Sequence, residues 1–189
     1  MSRPEMADVF ARLRSLIGDT AGVQVFTDDE LQDALDEHRT IARYEPLTPE
    51  GVYASGAMGY TIHHATYGEW EDSVVLTDGA YGAVTISTSD LHIGLFVISS
   101  TCPAVYASGV YFDLHAAAAD VLDAWAARLA LEFDFSADGS SFSRSQQTAM
   151  LREAATAHRG LARPVTKHLV DSDTATAMTP RASATFDVD

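Results

Sequence analysis

The stretch that decides the fold is residues 103–159, which read PAVYASGVYFDLHAAAADVLDAWAARLALEFDFSADGSSFSRSQQTAMLREAATAHR. It opens with a β-rich run that ends near Tyr111, and Asp113 then precedes the strongest helical pattern in the chain. The apolar side of this helix is wide. It comprises Leu114, Ala117, Ala118, Val121, Leu122, Trp125, Leu129 and Phe133. Its alanine-rich first half allows the backbone of a neighbouring element to approach closely.

A final helix is predicted after a turn. The loop Ser136 to Gly139 is expected to end the preceding helix, and Ser143 to Gln146 has the form of a capping box. Apolar spacing then continues to a predicted stop at Gly160. The residues that mark this helix are Met150, Leu151, Ala154 and His158.

The N-terminal residues 1–39 predict two more helices. Pro4 suits a first helical position, apolar residues follow at spacings of three and four, and Gly18 ends the pattern. The run Thr27 to Glu30 is a second capping box, which opens a helix with Leu31, Ala34, Leu35 and His38 on one face.

Residues 40–111 are rich in Gly, Tyr, Ser, Thr and Val and lose helical periodicity, which is typical of β structure. The candidate strands are Thr40 to Tyr44, Tyr60 to Thr66, Ser73 to Thr77, Ala83 to Ser87, Ile93 to Ile98 and Val105 to Tyr111. The predicted class is therefore α+β. We expect a small bundle of about four helices (1–39 and 112–160) with a β-rich insertion between helices 2 and 3 (40–111) and an extended tail (161–189).

The C-terminal residues beyond Pro164 are rich in Thr, Ala, Ser and Asp and show no periodicity. Two interpretations stay open: simple disorder, or an arm that orders against a neighbouring subunit through Leu169, Val170 and Phe186.

Composition restricts the function further. The chain has 189 residues and a formal net charge of -15, so affinity for nucleic acid is not expected. No run is long enough to cross a bilayer, and no cleaved secretory signal is predicted. Lys167 is the single lysine and asparagine is absent, which indicates either a GC-rich genome or a salt-loving host.

Residues that could carry chemistry are few. Phosphate-binding loops, the GxSxG elbow and the HExxH motif are absent from the sequence, and Cys102, the one cysteine, is expected to be a small buried residue. His63 and His64 alternate along a strand, so we expect one in the core and one at the surface. His115 is expected to be half-buried behind an N-capping Asp113.

The segment Glu69 to Asp72 could present carboxylates to a cation or to sugar, but a solvated charged loop with a packed Trp70 is favoured. We therefore expect no catalytic group, no cofactor and no metal.

The order of motifs in residues 103–159 resembles the C-terminal core of head-tail adaptor proteins of long-tailed phages and related archaeal viruses. In that family a strand ending in an aromatic residue and Asp leads into an Ala-rich helix, and an acidic turn then starts the last helix. The matching residues are Tyr111, Phe112, Asp113, Ala116 to Ala119, Asp134, Ser136, Asp138, Gly139, Ser141, Phe142, Arg144, Ser145 and Gln146.

The resemblance implies a structural virion protein at the neck of the particle, assembled in the host cytoplasm. It implies a ring, commonly of twelve subunits, that binds the portal protein, neighbouring adaptor subunits and a downstream stopper or tail-completion protein. Genomic DNA would pass through without specific binding. Phe142 would plug the bundle, Ser143 or Ser141 would cap the last helix, and Arg144 would pair with Asp134, with Asp138 or with the neighbouring subunit.

Two alternatives stay open. The chain could instead be a tail-side completion or stopper protein whose β region makes the contacts. It could also be a ligand-binding module or enzyme with His63, His92 and the Glu69 to Asp72 loop around a pocket.

Overall fold

The structure of the protein, a computed structural model, describes residues 3–19, 24–54, 56–131, 135–137, 140–142 and 144–164. Side chains are described for residues 3–19, 24–53, 56–131 and 145–164. Four α-helices and ten β-strands lie in these residues. The α+β class and the four helices are as the sequence predicted.

Two helices precede the strands and two follow the last long one. A 3-10 turn at Pro4–Met6 leads into α1, Ala7–Ile17, and α2 spans Asp28–Glu37. Leu114–Ala130 forms α3, and α4 covers Arg144–Leu161. Within the described residues, no helix is both long enough and apolar enough to span a membrane.

Local capping explains where the helices begin and end. Gly18 adopts a left-handed backbone with φ of 75° and closes α1, which confirms the predicted stop. The capping box of Thr27 and Glu30 is formed at the start of α2. At α3 the Asp113 carboxylate accepts hydrogen bonds from the backbone N–H groups of His115 and Ala116, as predicted.

The strands form two antiparallel sheets of four strands and one short hairpin. One sheet has the order β1-β8-β4-β5 and the other β2-β3-β7-β6. The strands are β1 Arg39–Pro46, β2 Thr48–Ala54, β3 Ala57–His64, β4 Val75–Asp78, β5 Ala83–Val84, β6 Ile86–Asp90, β7 Leu95–Ile98 and β8 Val105–Phe112. Single residues, Leu47 and Thr85, carry the chain from one sheet to the other.

Two apolar cores form, one among the helices and one between the sheets. The helical core draws on the 3-10 turn and all four helices, and it includes Phe112 from the end of β8. The sheet core contains residues of both sheets together with Trp70. Tyr111 belongs to the sheet core, so two adjacent residues of β8 anchor the two cores.

Several predicted boundaries are wrong. The sequence missed β2, whose Pro49 and Gly51 lower strand propensity, and residues 91–94 form turns rather than the first half of a strand. The Ser136 to Gly139 loop does not end α3, which already stops at Ala130. Residues Phe135–Ala137 (β9) and Ser140–Phe142 (β10) instead pair as an antiparallel hairpin.

Gly160 is not the stop of the last helix either, because α4 continues through it to Leu161 and its φ is not left-handed. A Cβ at this position would meet no atom within 4 Å. A Gly160→Ala change should therefore raise the free energy of unfolding by about 0.5 to 1 kcal/mol, because alanine is the better helix former. The measurement is denaturant unfolding.

Gly18 supplies the matched control. A Cβ there would also meet nothing within 4 Å, but the backbone φ is 75°. Gly18→Ala should therefore lower stability, because a side chain strains a left-handed backbone. Equal effects of the two changes would contradict this account of how the helices end.

Candidate functional site: the junction of the helices and the sheets

The segment Glu69–Trp70–Glu71 lies between two other parts of the chain and bonds to both through its backbone. Glu71 N–H donates to Val110 O at 2.8 Å, and Phe112 N–H donates to Glu69 O at 3.0 Å. On the other side, Glu69 N–H and Trp70 N–H donate to His92 O and Leu91 O, both at 3.1 Å. The segment therefore behaves like an additional short strand beside β8.

Two glycines permit this close approach. A Cβ on Gly68 would lie 1.8 Å from His92 O, and one on Gly94 would lie 2.4 Å from Tyr67 O. Gly94 also has a left-handed φ of 70°. No other residue type fits either position without a shift of backbone, because both obstructing atoms are carbonyl oxygens.

The carboxylates of the segment point toward the helices and are largely buried. Glu69 binds the Arg12 guanidinium at 2.6 Å through Oε2 and His92 Nδ1 at 2.5 Å through Oε1, with only 12% of its side chain exposed. Arg3 lies 3.6 Å from the buried Glu71. The prediction of a solvated charged loop is therefore wrong for Glu69 and Glu71, although the packing of Trp70 is confirmed.

Burial makes the Glu71 carboxyl a weaker acid. Desolvation raises the pKa of this carboxyl, and the nearby Arg3 guanidinium opposes the rise only in part. Glu69 also has a left-handed backbone, with φ of 63°, which a non-glycine residue holds only where its surroundings impose it. The left-handed backbone of Glu69 therefore indicates that its surroundings hold this residue in place.

A cleft of about 390 Å³ opens beside this segment. Its lining comes from α1, the 68–69 turn, His92, the start of α3 and the end of α4, namely Arg12, Ser15, Leu16, Gly68, Glu69, His92, Asp113, Leu114, His115, Leu161 and Arg163. His92 and Glu69 do come together here, as the ligand-binding alternative required. The Glu69 carboxylate could orient His92 as a base, but it is also bound by Arg12. Glu69, His92 and Arg12 are therefore best explained as an ionic bridge between α1 and the sheets.

His63 does not join this cleft. It is fully buried, and its Nε2–H donates to Cys102 O at 2.9 Å, whereas His64 is exposed and lies 3.0 Å from Glu50. The prediction of one core and one surface histidine is confirmed. Cys102 is only partly buried, and its thiol lies 3.3 Å from Ala104 O.

A pair of histidines, of which His115 lines the cleft, joins three helices. His115 Nδ1 and His158 Nδ1 lie 2.9 Å apart with their rings stacked, so one nitrogen donates and the other accepts. His158 also bonds to the backbone of Leu16 on α1. Burial and then the neighbouring His115 lower the pKa of His158.

Arg163 fixes the direction in which the chain leaves α4. Its guanidinium stacks over the rings of Tyr67 and Tyr111, at 4.7 and 5.1 Å, and donates to Gly68 O at 3.2 Å. Its backbone N–H donates to the Asp113 carboxylate at 2.6 Å. No pattern in the sequence indicates this contact or the one between Arg12 and Glu69, because each joins residues 50 or more positions apart.

One group of side chains in the described residues could hold a metal ion. Glu37, His38 and Asp120 place three ligand atoms within 4.8 Å of one another. His38 Nε2 already lies 2.7 Å from Asp120 Oδ2, and Arg159 lies 3.5 Å from the other Asp120 oxygen. A cation beside the carboxylate opposes the binding of a second cation.

The predicted interface residues are not tested by this geometry. Arg144 is the first residue of α4, but its side chain lies outside the described part, as do those of Asp134, Asp138 and Phe142. Leu169, Val170 and Phe186 also lie outside the described residues. Their roles stay predictions.

Comparison with known proteins finds no family, no curated protein and no solved structure that matches this chain.

The contact at Gly68 makes a direct prediction. Gly68→Ala should lower the free energy of unfolding by at least about 2 kcal/mol, because the carbonyl of His92 cannot move aside without breaking the bonds of residues 69 and 70. Gly79→Ala is the control, since a Cβ at Gly79 would meet no atom within 4 Å. Thermal unfolding that shifts equally in the two variants would contradict the tight junction.

The histidine pair makes a prediction about pH. Because the folded-state pKa of His158 is lowered, its contribution to stability is present above the unfolded pKa near 6.5 and is lost as the pH falls through the folded value. His158→Gln should therefore lose less stability than the wild type between pH 7.5 and 5.5. The raised pKa of Glu71 makes stability increase as the pH falls, and it does so in the wild type and in the variant alike. The difference between the two curves is the quantity to measure by denaturant unfolding, and parallel curves would rule the histidine out.

Proposed function

We propose that the protein is a structural subunit of a head-tail connector, an adaptor ring that sits beneath the portal of a tailed virus. In this proposal the helices form the bundle of the ring subunit and the β-rich residues between α2 and α3 are an insertion into it. The protein provides a channel for DNA and a platform for the tail, and no catalytic group is required.

The observation that supports the proposal most is the order of local structures in residues 103–159. Strand β8 ends in Tyr111 and Phe112, Asp113 caps α3, a short hairpin follows, and α4 begins at Arg144. The strand, the cap and the two helices follow in the order that the resemblance implies, with a short hairpin where a turn was expected. The buried alanines of α3, which lie in the helical core with residues of α4, suit the Ala-rich helix of that family.

Charge supports the same function. A net charge of -15 on each subunit repels a DNA duplex, so a lumen lined by such subunits would let DNA slide without sticking. Head-to-tail contacts between unlike surfaces close into rings, which is the symmetry a connector needs. The proposed partners are the portal, neighbouring copies of the chain and a downstream stopper or tail-completion protein, all at the neck of the virion.

The residues proposed to contact a partner are Arg144, at the start of α4, and Leu169, Val170 and Phe186 in the C-terminal residues. The contacts of Arg163 support this role, because they hold the end of the described chain beside Tyr67 and Asp113 at the surface of the protein. A tail-side stopper would use the same chain with different partners, and the binding experiment below distinguishes the two.

The test is the mass of assemblies formed by the purified protein alone and with candidate portal rings, at low and at multimolar salt. We expect a defined multi-subunit complex on the portal, detected by native mass spectrometry or light scattering. Deleting residues 165–189 should lower the occupancy of the ring. Binding to an isolated tail-tube or stopper protein but to no portal would favour the tail-side function, and no binding to any neck protein would refute the connector.

A further inference from the structure

The outer face of the β1-β8-β4-β5 sheet carries large apolar side chains that nothing in the described residues covers. Ile41, Tyr44, Val75 and Tyr81 are 56%, 53%, 55% and 73% exposed. With Arg43, which is also exposed, they form what we call the open face.

Strand register places Ile41 and Val75 on one side of the sheet, and the ring contact of Tyr44 with Tyr81 lies beside them. Ile41 pairs with Val110 and Val75 pairs with Ser108, while the neighbouring Leu76 and Ala107 are buried on the opposite side. Successive side chains of a strand alternate between faces. One face of the sheet therefore lies in the sheet core, and the opposite face packs on the helical core at Val110 and Phe112 but is exposed at Ile41 and Val75.

Tyr44 and Tyr81 form the centre of the open face. Their rings meet edge to face with centroids 5.3 Å apart, and both residues have left-handed backbones, with φ of 54° and 63°. Tyr44 sits in the bulge of β1, where its N–H donates to Ser108 Oγ at 3.1 Å. Strained tyrosines held in contact and exposed to solvent indicate a surface used for binding rather than for folding.

Charge indicates the occupant. On β1 the residues Arg39, Ile41 and Arg43 alternate, and Arg43 makes no ion pair with any described residue. The chain itself is strongly acidic, and an exposed row at spacings of four on α2, Asp29, Asp33 and Glu37, concentrates negative charge. A face with two tyrosines and an arginine that pairs with no described residue is complementary to such a surface. One such arginine is too few to hold a DNA duplex, which needs clustered cations.

We infer that the open face is the subunit interface of the proposed ring, and that it packs against a different, acidic surface of a second copy of this chain. The inference rests on the proposed function and names the surface by which the subunits meet. The two surfaces are unlike, so the contact is head-to-tail, as a closed ring requires. Tyrosine and arginine are the residue types that dominate the energy of such interfaces.

The experiment titrates portal rings with limiting amounts of the protein and counts bound subunits per ring by native mass spectrometry. Wild-type subunits should bind cooperatively, so that empty and full rings coexist. The double variant Tyr44→Asn with Tyr81→Asn, and separately Arg43→Glu, should bind singly and at random. The concentration that half-fills the rings should rise about tenfold. Asparagine is chosen because it tolerates a left-handed backbone.

Tyr53→Asn is the matched control, since Tyr53 is 72% exposed on β2 of the other sheet. It should fill rings as the wild type does, and circular dichroism should show all variants folded. Cooperative filling by the open-face variants would overturn the interface while leaving the connector function intact. Loss of even single-subunit binding would assign the open face to the portal instead. Failure of the wild type to bind any portal would refute the proposed function, and the inference with it.

Discussion

The placement of Trp70 between β8 and residues 91–92 is the constraint on which the rest of the molecule depends. Its ring packs against Phe96 and Tyr111 in the sheet core, while the glutamates on either side bind arginines of α1 and of the residues before it. One short segment thus joins the sheet core to the first helical elements. The approach is possible only because Gly68 and Gly94 leave room for two carbonyl oxygens. A side chain at either glycine would therefore disturb the contacts of both cores and not of one core alone.

A second connection runs along the chain itself, through β8 into α3. Tyr111 lies in the sheet core, Phe112 lies in the helical core and Asp113 caps the helix, so three consecutive residues have three different structural roles. Asp113 N–H also donates to His38 O at the end of α2, and the Asp113 carboxylate receives the N–H of Arg163. The start of α3 therefore holds in place both His38, at the C-terminal end of α2, and Arg163, just after α4. In the proposed ring subunit, such a joint would hold the sheets at a constant angle to the helices.

The features that the sequence predicted correctly depend on residues that are close together in the chain. The stop at Gly18, the capping box at Thr27 and the cap at Asp113 are local contacts, and all three are formed. Glu69 was misjudged because its burial depends on Arg12, more than fifty residues away, and no pattern within the loop reports that partner. The strand β2 was missed because pairing with β3 overrides its weak propensity. The cleft and the open face likewise arise from topology, because residues distant in the sequence form them, whereas the separation of His63 from His64 follows from alternation along one strand.

If the host is salt-loving, the salt concentration determines which residues of the open face contribute most to the binding energy. At molar ionic strength the Debye length falls to about 3 Å, so the attraction of Arg43 for an acidic neighbour is largely screened, as is the repulsion between two acidic subunits. Apolar burial is not screened and is strengthened by excluded salts. Burial of Tyr44 and Tyr81 against the partner would then supply most of the binding energy at high salt, and Arg43 would set the orientation at low salt. At high salt, burial of the tyrosines would therefore let two acidic subunits associate through the open face. In dilute buffer, the repulsion between their net negative charges would oppose the same contact.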